Sequence, residues 1–166
     1  MKFSRFGGGD GEFPPGGFCI SSFVIARKGD SILLCKIAQP EIWNERWSLN
    51  LDYPERWKGK WQIPSSYLKF GEHPDSAAGR VVEDQLQARS TKLSRSLVKS
   101  FAGESISVAG QIHWDLCFIY EANLSEDPKL QPWFADLRYV SLKAALELDF
   151  GRSHDMILAS LGNPEV

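Results

Sequence analysis

Residues 71–87 read GEHPDSAAGRVVEDQLQ, and this stretch carries the most regular pattern in the chain. Pro74 suits the first position of a helix, where a missing N–H leaves no bond unmade. Apolar residues then recur at spacings of one, three and four, which predicts a helix from Pro74 to about Ala88. The apolar residues are Ala77, Ala78, Val81, Val82 and Leu86. Residues 65–73 are polar and contain a glycine, so they predict a loop that leads into the helix.

Strand patterns lie on both sides of this helix. Apolar and β-branched runs at 18–26 and 31–38 are separated by a Gly-Asp turn and predict a hairpin. Further strands are predicted at 60–64, 94–103, 112–124 and 137–142, and two short helices at 141–149 and 153–162. This order predicts an α/β/α sandwich around one mixed β-sheet.

Composition narrows the classes of function. The net charge of -2 gives no broad positive field, so we expect no general nucleic-acid binding. Three cysteines stand far apart without metal or disulfide spacing, which favours a reducing compartment. We find no signal-peptide pattern and no run of about 18 apolar residues, and therefore expect a cytoplasmic protein without a membrane segment. The glycines and prolines of residues 1–16 predict a flexible arm before a single domain at 17–166.

Tryptophans concentrate in residues 39–61. An alternation of apolar and polar residues there predicts a short strand or a structured loop, carried by Trp47, Leu49, Leu51 and Tyr53. Trp47 and Trp61 fit strand faces and are expected in the core. Trp43 and Trp57 lie among charged residues, so they are the two candidates for stacking on a ligand base.

Residues 59–87, GKWQIPSSYLKFGEHPDSAAGRVVEDQLQ, resemble the signature of the Nudix hydrolases and its lead-in. That signature runs Gly, five residues, Glu, seven residues, Arg-Glu, an apolar residue, any residue, Glu-Glu, any residue, Gly and an apolar residue. Glu72 and Arg80 stand at the required separation, and Val82 occupies the apolar position. The hairpin before the signature and the strand and helix after it are similar to the family's as well, so the resemblance covers roughly residues 17–162. It implies an α/β/α sandwich around a mixed sheet.

The resemblance also implies a chemistry. Nudix enzymes cleave a nucleoside diphosphate linked to another group, with Mg²⁺ or Mn²⁺ held by carboxylates of the signature helix. The family's helix carboxylates correspond here to Val81, Asp84 and Gln85, of which only Asp84 is acidic. On a regular helix these three positions are expected to share one face. The family's glycine pair before the loop is Ser65 and Ser66 here.

The candidate site follows from this correspondence. The catalytic candidates are Glu72, Arg80 and Asp84, the metal-ligand candidates are Asp84, Gln85 and Glu72, and the ligand-binding candidates are Trp43, Trp57, Ser65 and Ser66. Glu72 and Arg80 have two open interpretations: a pair that orients metal-binding carboxylates, or a structural salt bridge. The family's glycine after the helix is Gln87, where a positive φ would strain a side chain.

We therefore expect a divergent Nudix protein. It would bind a nucleoside-diphosphate-linked or other phosphorylated small molecule, with weak or absent pyrophosphohydrolase activity. Mg²⁺ or Mn²⁺ is its cofactor if it is active, and otherwise it needs none. One alternative is an active hydrolase that takes carboxylates from outside the signature, and a second is a protein-interaction module that uses the tryptophan-rich segment. The sequence leaves open whether the chain forms a homodimer.

Overall fold

The structure is a computed structural model of the chain, and it describes residues 17–38, 40–47, 59–104 and 111–162. The predicted arm at residues 1–16 and the candidate Trp57 lie outside these ranges. Trp43 lies in a described helix, but its side chain is outside the description.

Seven strands and four α-helices make up the described part of the chain. The strands are β1 (Phe18–Lys28), β2 (Ser31–Ile37), β3 (Trp61–Gln62), β4 (Ser65–Tyr67), β5 (Ser90–Glu104), β6 (Ile112–Leu124) and β7 (Phe134–Ser141). The helices are α1 (Pro40–Trp47), α2 (Pro74–Arg80), α3 (Leu142–Ala145) and α4 (His154–Gly162). A π-helical turn, Val81–Gln85, continues α2. Within these ranges, no helix has the length and apolar character needed to cross a membrane.

All seven strands join one mixed sheet. Its main path runs β3, β2, β1, β6, β5, while β4 pairs with β1 and β7 pairs with β2. The pair β1 and β6 is parallel, and the other pairs are antiparallel. The predicted hairpin is confirmed as β1 and β2, and Gly29 supplies a φ of +57° in its turn, which glycine adopts without strain.

Each face of the sheet buries its own apolar cluster, because successive side chains of a strand point to opposite faces. On one face, Val24 and Ala26 of β1 pack with residues of α2 and the π turn. On the other, Phe23 and Ile25 pack with residues of α3 and α4. The predicted α/β/α sandwich is confirmed.

Two local predictions are wrong. Ser65–Tyr67 forms β4 rather than a loop, because its backbone pairs with Ser21–Phe23 of β1, a partner that local composition does not reveal. Pro40–Trp47 forms a helix rather than a strand or a loop. Proline at its first position, Glu41 in its first turn and Arg46 in its last turn all favour that helix. Residues 48–58 lie outside the description, whereas Trp61 is buried as expected.

Candidate functional site

The start of α2 is fixed to the sheet. His73 caps the helix, since its Nδ1 accepts a hydrogen bond of 3.2 Å from the backbone N–H of Asp75. The Ser22 hydroxyl of β1 donates to the carbonyl oxygen of Pro74 at 2.8 Å. The Tyr120 hydroxyl of β6 donates to the Asp75 carboxylate. Two sheet strands therefore set the position of the helix and of the signature residues on it.

Glu72 and Arg80 form a bidentate ion pair across the loop before α2. Arg80 Nε lies 2.6 Å from Glu72 Oε1, and Arg80 Nη2 lies 2.8 Å from Glu72 Oε2. The guanidinium also donates to the Tyr67 carbonyl and the Ser66 hydroxyl, while the N–H of Lys69 donates to Glu72. Arg80 hydrogen bonding lowers the pKa of Glu72. Both carboxylate oxygens are thus occupied by partners within the protein, so the pair ties β4 and its loop to the helix.

The helix widens into the π turn directly after Arg80. The backbone N–H of Leu86 bonds to the carbonyl oxygen of Val81, a five-residue step. The residues of this segment divide by exposure: Val81, Val82, Gln85 and Leu86 are buried, while Glu83 and Asp84 are exposed. The expectation that Asp84 shares a face with Val81 and Gln85 is therefore wrong, and its neighbour on the outer face is Glu83.

Gln85 is a buried polar side chain at the end of this turn. It is 2% exposed, and its Nε2 donates to the carbonyl oxygen of Ser65 at 3.0 Å. Among the described residues, none donates to its Oε1. Its backbone carbonyl accepts a 2.9 Å hydrogen bond from Nε1 of Trp133. The amide therefore joins the helix to β4 through its nitrogen.

The fold is similar to that of several proteins of known structure. No family model matches the sequence, and no curated protein matches it significantly. Solved structures do match. A MutT Nudix hydrolase from Burkholderia pseudomallei has a TM-score of 0.61 at 17% identity, over 86% of this chain and 96% of that one. The MutT protein from Methanosarcina mazei Go1 has a TM-score of 0.62 at 13% identity, over 90% and 96%.

This chain has the Nudix fold. A third structure of the same kind is the Nudix domain of Shewanella oneidensis NrtR in complex with ADP ribose. It has a TM-score of 0.60 at 10% identity, and the match covers 90% of this chain and 88% of that domain. At these identities the likeness concerns the fold, so the chemistry of the site rests on the residues themselves.

The signature residues of this Nudix fold do not fit a Mg²⁺ or Mn²⁺ site. Such ions require several oxygen ligands, and Mg²⁺ holds them at about 2.0–2.1 Å in octahedral geometry. Val81 offers no oxygen and is fully buried, and Gln85 turns a donor nitrogen towards Ser65. Asp84 is exposed on the outer face, and Glu72 is occupied by Arg80. The metal-ligand candidates are therefore held in three different environments.

Two of the ligand-binding candidates take part in the same network. The Ser65 carbonyl accepts from Gln85, and the Ser66 hydroxyl accepts from Arg80 and donates to the Tyr67 carbonyl at 3.1 Å. Both serines are half-buried in β4. The ligand-binding roles of Ser65 and Ser66 stay predictions, as do those of Trp43 and Trp57.

The helix exit keeps a left-handed residue. Gln87 has a φ of 50°, which costs free energy for any side chain other than glycine. Its Nε2 donates to the carbonyl oxygens of Glu83 and Asp84, which satisfies two backbone acceptors at the end of the turn. Beside it lies an open polar cleft of 710 Å³, whose described lining is Glu83, Gln87, Ala88, Arg89, Ser90 and Glu126. Asp84 is absent from that described lining.

The opposite face of the sheet holds polar residues that the sequence did not single out. His154 is 1% exposed, and its Nδ1 accepts from the N–H of Ile63 at 3.0 Å. Burial lowers the pKa of His154 well below its ordinary value. Arg152, at a φ of 60°, donates to the Tyr67 hydroxyl and lies 5.0 Å from the centre of that ring. No periodic pattern marks these residues, because contacts between distant segments bring them together.

Proposed function

We propose that this chain binds a nucleoside-diphosphate-linked or other phosphorylated small molecule and hydrolyses it weakly or not at all. The observation that carries the proposal is the 3.0 Å hydrogen bond from Gln85 Nε2 to the Ser65 carbonyl oxygen. An ion held between the helix and β4 would require an oxygen of residue 85 facing the Ser65 carbonyl, and the atom that faces it is a buried N–H donor. The pyrophosphate of a bound ligand would then lack the charge neutralisation that a metal supplies to its hydrolysis.

The ligand class rests on the likeness of fold. The NrtR Nudix domain has a similar fold, and its structure contains ADP ribose. The Glu72–Arg80 pair keeps the loop before α2 tied to the helix without any ion, because its hydrogen bonds are all within the protein. A preformed loop supports ligand binding in the absence of metal.

Calorimetric titration of the full chain with ADP-ribose, and separately with ADP, tests the binding. The titrations are run in chelator and in Mg²⁺, and the same samples are assayed for cleavage products. We expect ADP-ribose to bind with similar affinity in both buffers and product formation to stay at background. If neither probe binds, the ligand class is wrong and the protein-interaction alternative gains support.

Two neighbouring acids provide a matched control for the catalytic alternative. Glu83 and Asp84 are adjacent and both exposed, and only Asp84 stands at a carboxylate position of the signature. We expect Asp84→Asn and Glu83→Gln to behave alike. Mg²⁺-dependent turnover that is lost in Asp84→Asn and kept in Glu83→Gln would establish an active hydrolase and refute the proposal.

We also propose a cytoplasmic location. The three cysteines, Cys19, Cys35 and Cys117, are all free thiols, and Cys35 and Cys117 are buried. Reduced thiols are typical of the cytosol. Fractionation of the cells that express the chain, with the thiols trapped by alkylation on lysis, tests this: oxidised cysteines in the native protein would contradict it.

A further inference from the structure

Three side chains with metal-binding atoms meet on the face of the sheet that α3 and α4 cover. They are Cys19 of β1 and His113 and Asp115 of β6. The cysteine sulfur, an imidazole nitrogen and a carboxylate oxygen all lie within 4.8 Å of one another. Among the described residues, these are the only three side chains with metal-binding atoms that lie so close together. The sheet separates it from Gln85 and the signature helix.

The parallel pairing of β1 with β6 creates this cluster. Cys19 stands directly opposite Asp115 in the register of the two strands. His113 comes two residues before Asp115 and so points to the same face of the sheet. All three positions lie within hydrogen-bonded strands, which hold their backbones in place.

The spacing of the atoms is close to that of a tetrahedral ion site. Zinc holds sulfur at about 2.3 Å and nitrogen or oxygen at about 2.0–2.2 Å, so its ligand atoms lie roughly 3.3–3.8 Å apart. His113 Nε2 and Asp115 Oδ1 are 3.4 Å apart, which already falls in that range. The sulfur needs to move by about 1 Å or less, an adjustment within the reach of small side-chain rotations.

We propose that Cys19, His113 and Asp115 bind a zinc ion. The set of one sulfur, one nitrogen and one oxygen suits Zn²⁺, whereas Mg²⁺ and Ca²⁺ take oxygen ligands. A thiolate and a carboxylate balance the two charges of the ion, and the imidazole is neutral. Three protein ligands leave the fourth position of the tetrahedron to a water molecule.

Exposure and charge set the character of this site. The Asp115 side chain is 37% exposed and gives the ion a route in, while that of His113 is only 9% exposed. The guanidinium of Arg152 interacts electrostatically with the Cys19 thiol, and its positive charge would repel a bound cation. We therefore expect weaker affinity than in a site with four protein ligands.

Cobalt titration of the full chain tests the proposal directly. The purified protein is stripped with chelator, and Co²⁺ is then added while the absorption spectrum is recorded. We expect one equivalent to bind with a thiolate-to-cobalt charge-transfer band and the visible bands of tetrahedral cobalt, and Zn²⁺ to displace both. A spectrum without the charge-transfer band, with cobalt in several-fold excess, would overturn the proposal.

Single substitutions then assign the ligands. Cys19→Ser should abolish the charge-transfer band, and His113→Gln and Asp115→Asn should each weaken cobalt binding by about tenfold or more, since the loss of a mere outer-shell partner commonly costs about 10- to 100-fold. Cys117→Ser is the matched control, because Cys117 is a buried thiol on the same face of β6, two residues beyond Asp115. A band that survives in Cys19→Ser, or disappears in Cys117→Ser with the fold intact by circular dichroism, would refute the assignment.

Alkylation of the natural protein gives a test that does not depend on variants that fold. Cys19 is half-buried, whereas Cys35 and Cys117 are buried and act as internal references. We expect Zn²⁺ to slow the modification of Cys19 by iodoacetamide, as read by mass spectrometry. Equal modification of Cys19 with and without zinc would contradict the site. This outcome is independent of the ADP-ribose titration, so the two proposals fail separately.

Discussion

Gln85 Nε2 lies 3.0 Å from the carbonyl oxygen of Ser65, and this hydrogen bond closes the contact between the signature helix and β4. Two oxygens bound side by side to an octahedral Mg²⁺ would lie about 2.9 Å apart. The glutamine amide thus joins helix and strand at a separation that an ion would span, and it does so without metal. The bond makes Gln85 a sensitive place to test how the helix is held.

Gln85→Glu should destabilise the domain in chelator. The substitution removes the N–H donor and sets a buried carboxylate oxygen against the Ser65 carbonyl, a combined cost of about 3 kcal/mol or more. For a domain of this size that corresponds to a fall in Tm of roughly 6–12 °C. Mn²⁺ should restore part of the loss, because a cation between the two oxygens relieves their repulsion. Thermal unfolding of the variant with chelator and with Mn²⁺ measures both effects.

Gln85→Met is the matched control for this experiment. It loses the same hydrogen bond without adding a charge, so its Tm should fall less and should not respond to Mn²⁺. If Gln85→Glu is as stable as the natural protein in chelator, the amide does not hold the helix in the way inferred above.

Val81→Glu should cost more than about 3 kcal/mol in the free energy of unfolding, since Val81 is fully buried in the cluster under α2. Glu83→Gln, on the exposed side of the same turn, should change that free energy by about 0.5 kcal/mol or less. Combining Val81→Glu with Gln85→Glu is expected to unfold the domain rather than build a metal site. Urea denaturation at neutral pH measures these differences, and a well-folded double variant would show that the turn can rotate outward.

The Glu72–Arg80 pair should contribute a pH-dependent part of the stability. Hydrogen bonding by Arg80 lowers the pKa of Glu72 from its ordinary value of 4.5. Above that value the contribution is complete, and it is lost as the pH falls through the lowered pKa of the folded state. Glu72→Gln should therefore cost about 1.5–3 kcal/mol at neutral pH and progressively less in acid.

An exposed pair of the same residue types serves as the comparison. Arg27 Nη2 lies 3.1 Å from Glu121 Oε1, and the Glu121 side chain is 46% exposed. Glu121→Gln should cost no more than about 1 kcal/mol, since solvent screens the pair. Denaturant curves across the acid range test both variants. Equal losses of unfolding free energy in the two would argue against a special role for the Glu72–Arg80 pair in joining the loop to the helix.

His154 should make the protein less stable below about pH 6.5. Its Nδ1 accepts a hydrogen bond in the core, and burial holds its pKa well below the ordinary value of 6.5. Below pH 6.5 the unfolded chain therefore binds a proton at this histidine and the folded chain does not, so the free energy of unfolding falls by up to about 1.4 kcal/mol per pH unit. Above the ordinary pKa of 6.5 this loss of stability disappears. Denaturation midpoints measured between mildly acidic and neutral pH give the slope.

His154→Asn keeps an acceptor but cannot be protonated in this range. We expect it to be less stable at neutral pH, because a smaller side chain fills the site incompletely, and to lose most of the slope below pH 6.5. An unchanged slope in His154→Asn would assign the acid sensitivity to other groups.

Much of the fold could be predicted from local pattern. The run from Pro74 onward indicated α2 because residues three and four apart share a helix face, and the Gly-Asp turn indicated the β1–β2 hairpin. Ser141 is the first residue of the predicted helix at 141–149, and serine favours the capping position: its hydroxyl accepts from the N–H of Ala144. In each case the determining interactions lie within a few residues of one another along the chain.

The candidate site was predictable only in part. The resemblance to the signature implied a pair of Glu72 and Arg80, and the structure joins them. The exposure of Asp84 beside a buried Val81 and Gln85 was not foreseen, because it depends on how this segment packs against the sheet. The π turn after Arg80 was not foreseen either, since it has no distinct sequence pattern.

By itself, the sequence determined which segments became helix and strand where short-range periodicity was strong, and which carboxylates the signature helix lacks. Only the tertiary structure decided that Ser65–Tyr67 is a strand, that the Gln85 amide points to Ser65, and that Cys19 meets His113 and Asp115. Each of these depends on segments that are far apart in the chain: β4 and Cys19 need their register with β1 and β6, and Gln85 needs β4 in place. Hydrogen bonds between distant strands and burial against the sheet stabilise these arrangements. No local window of sequence contains both partners of such a contact.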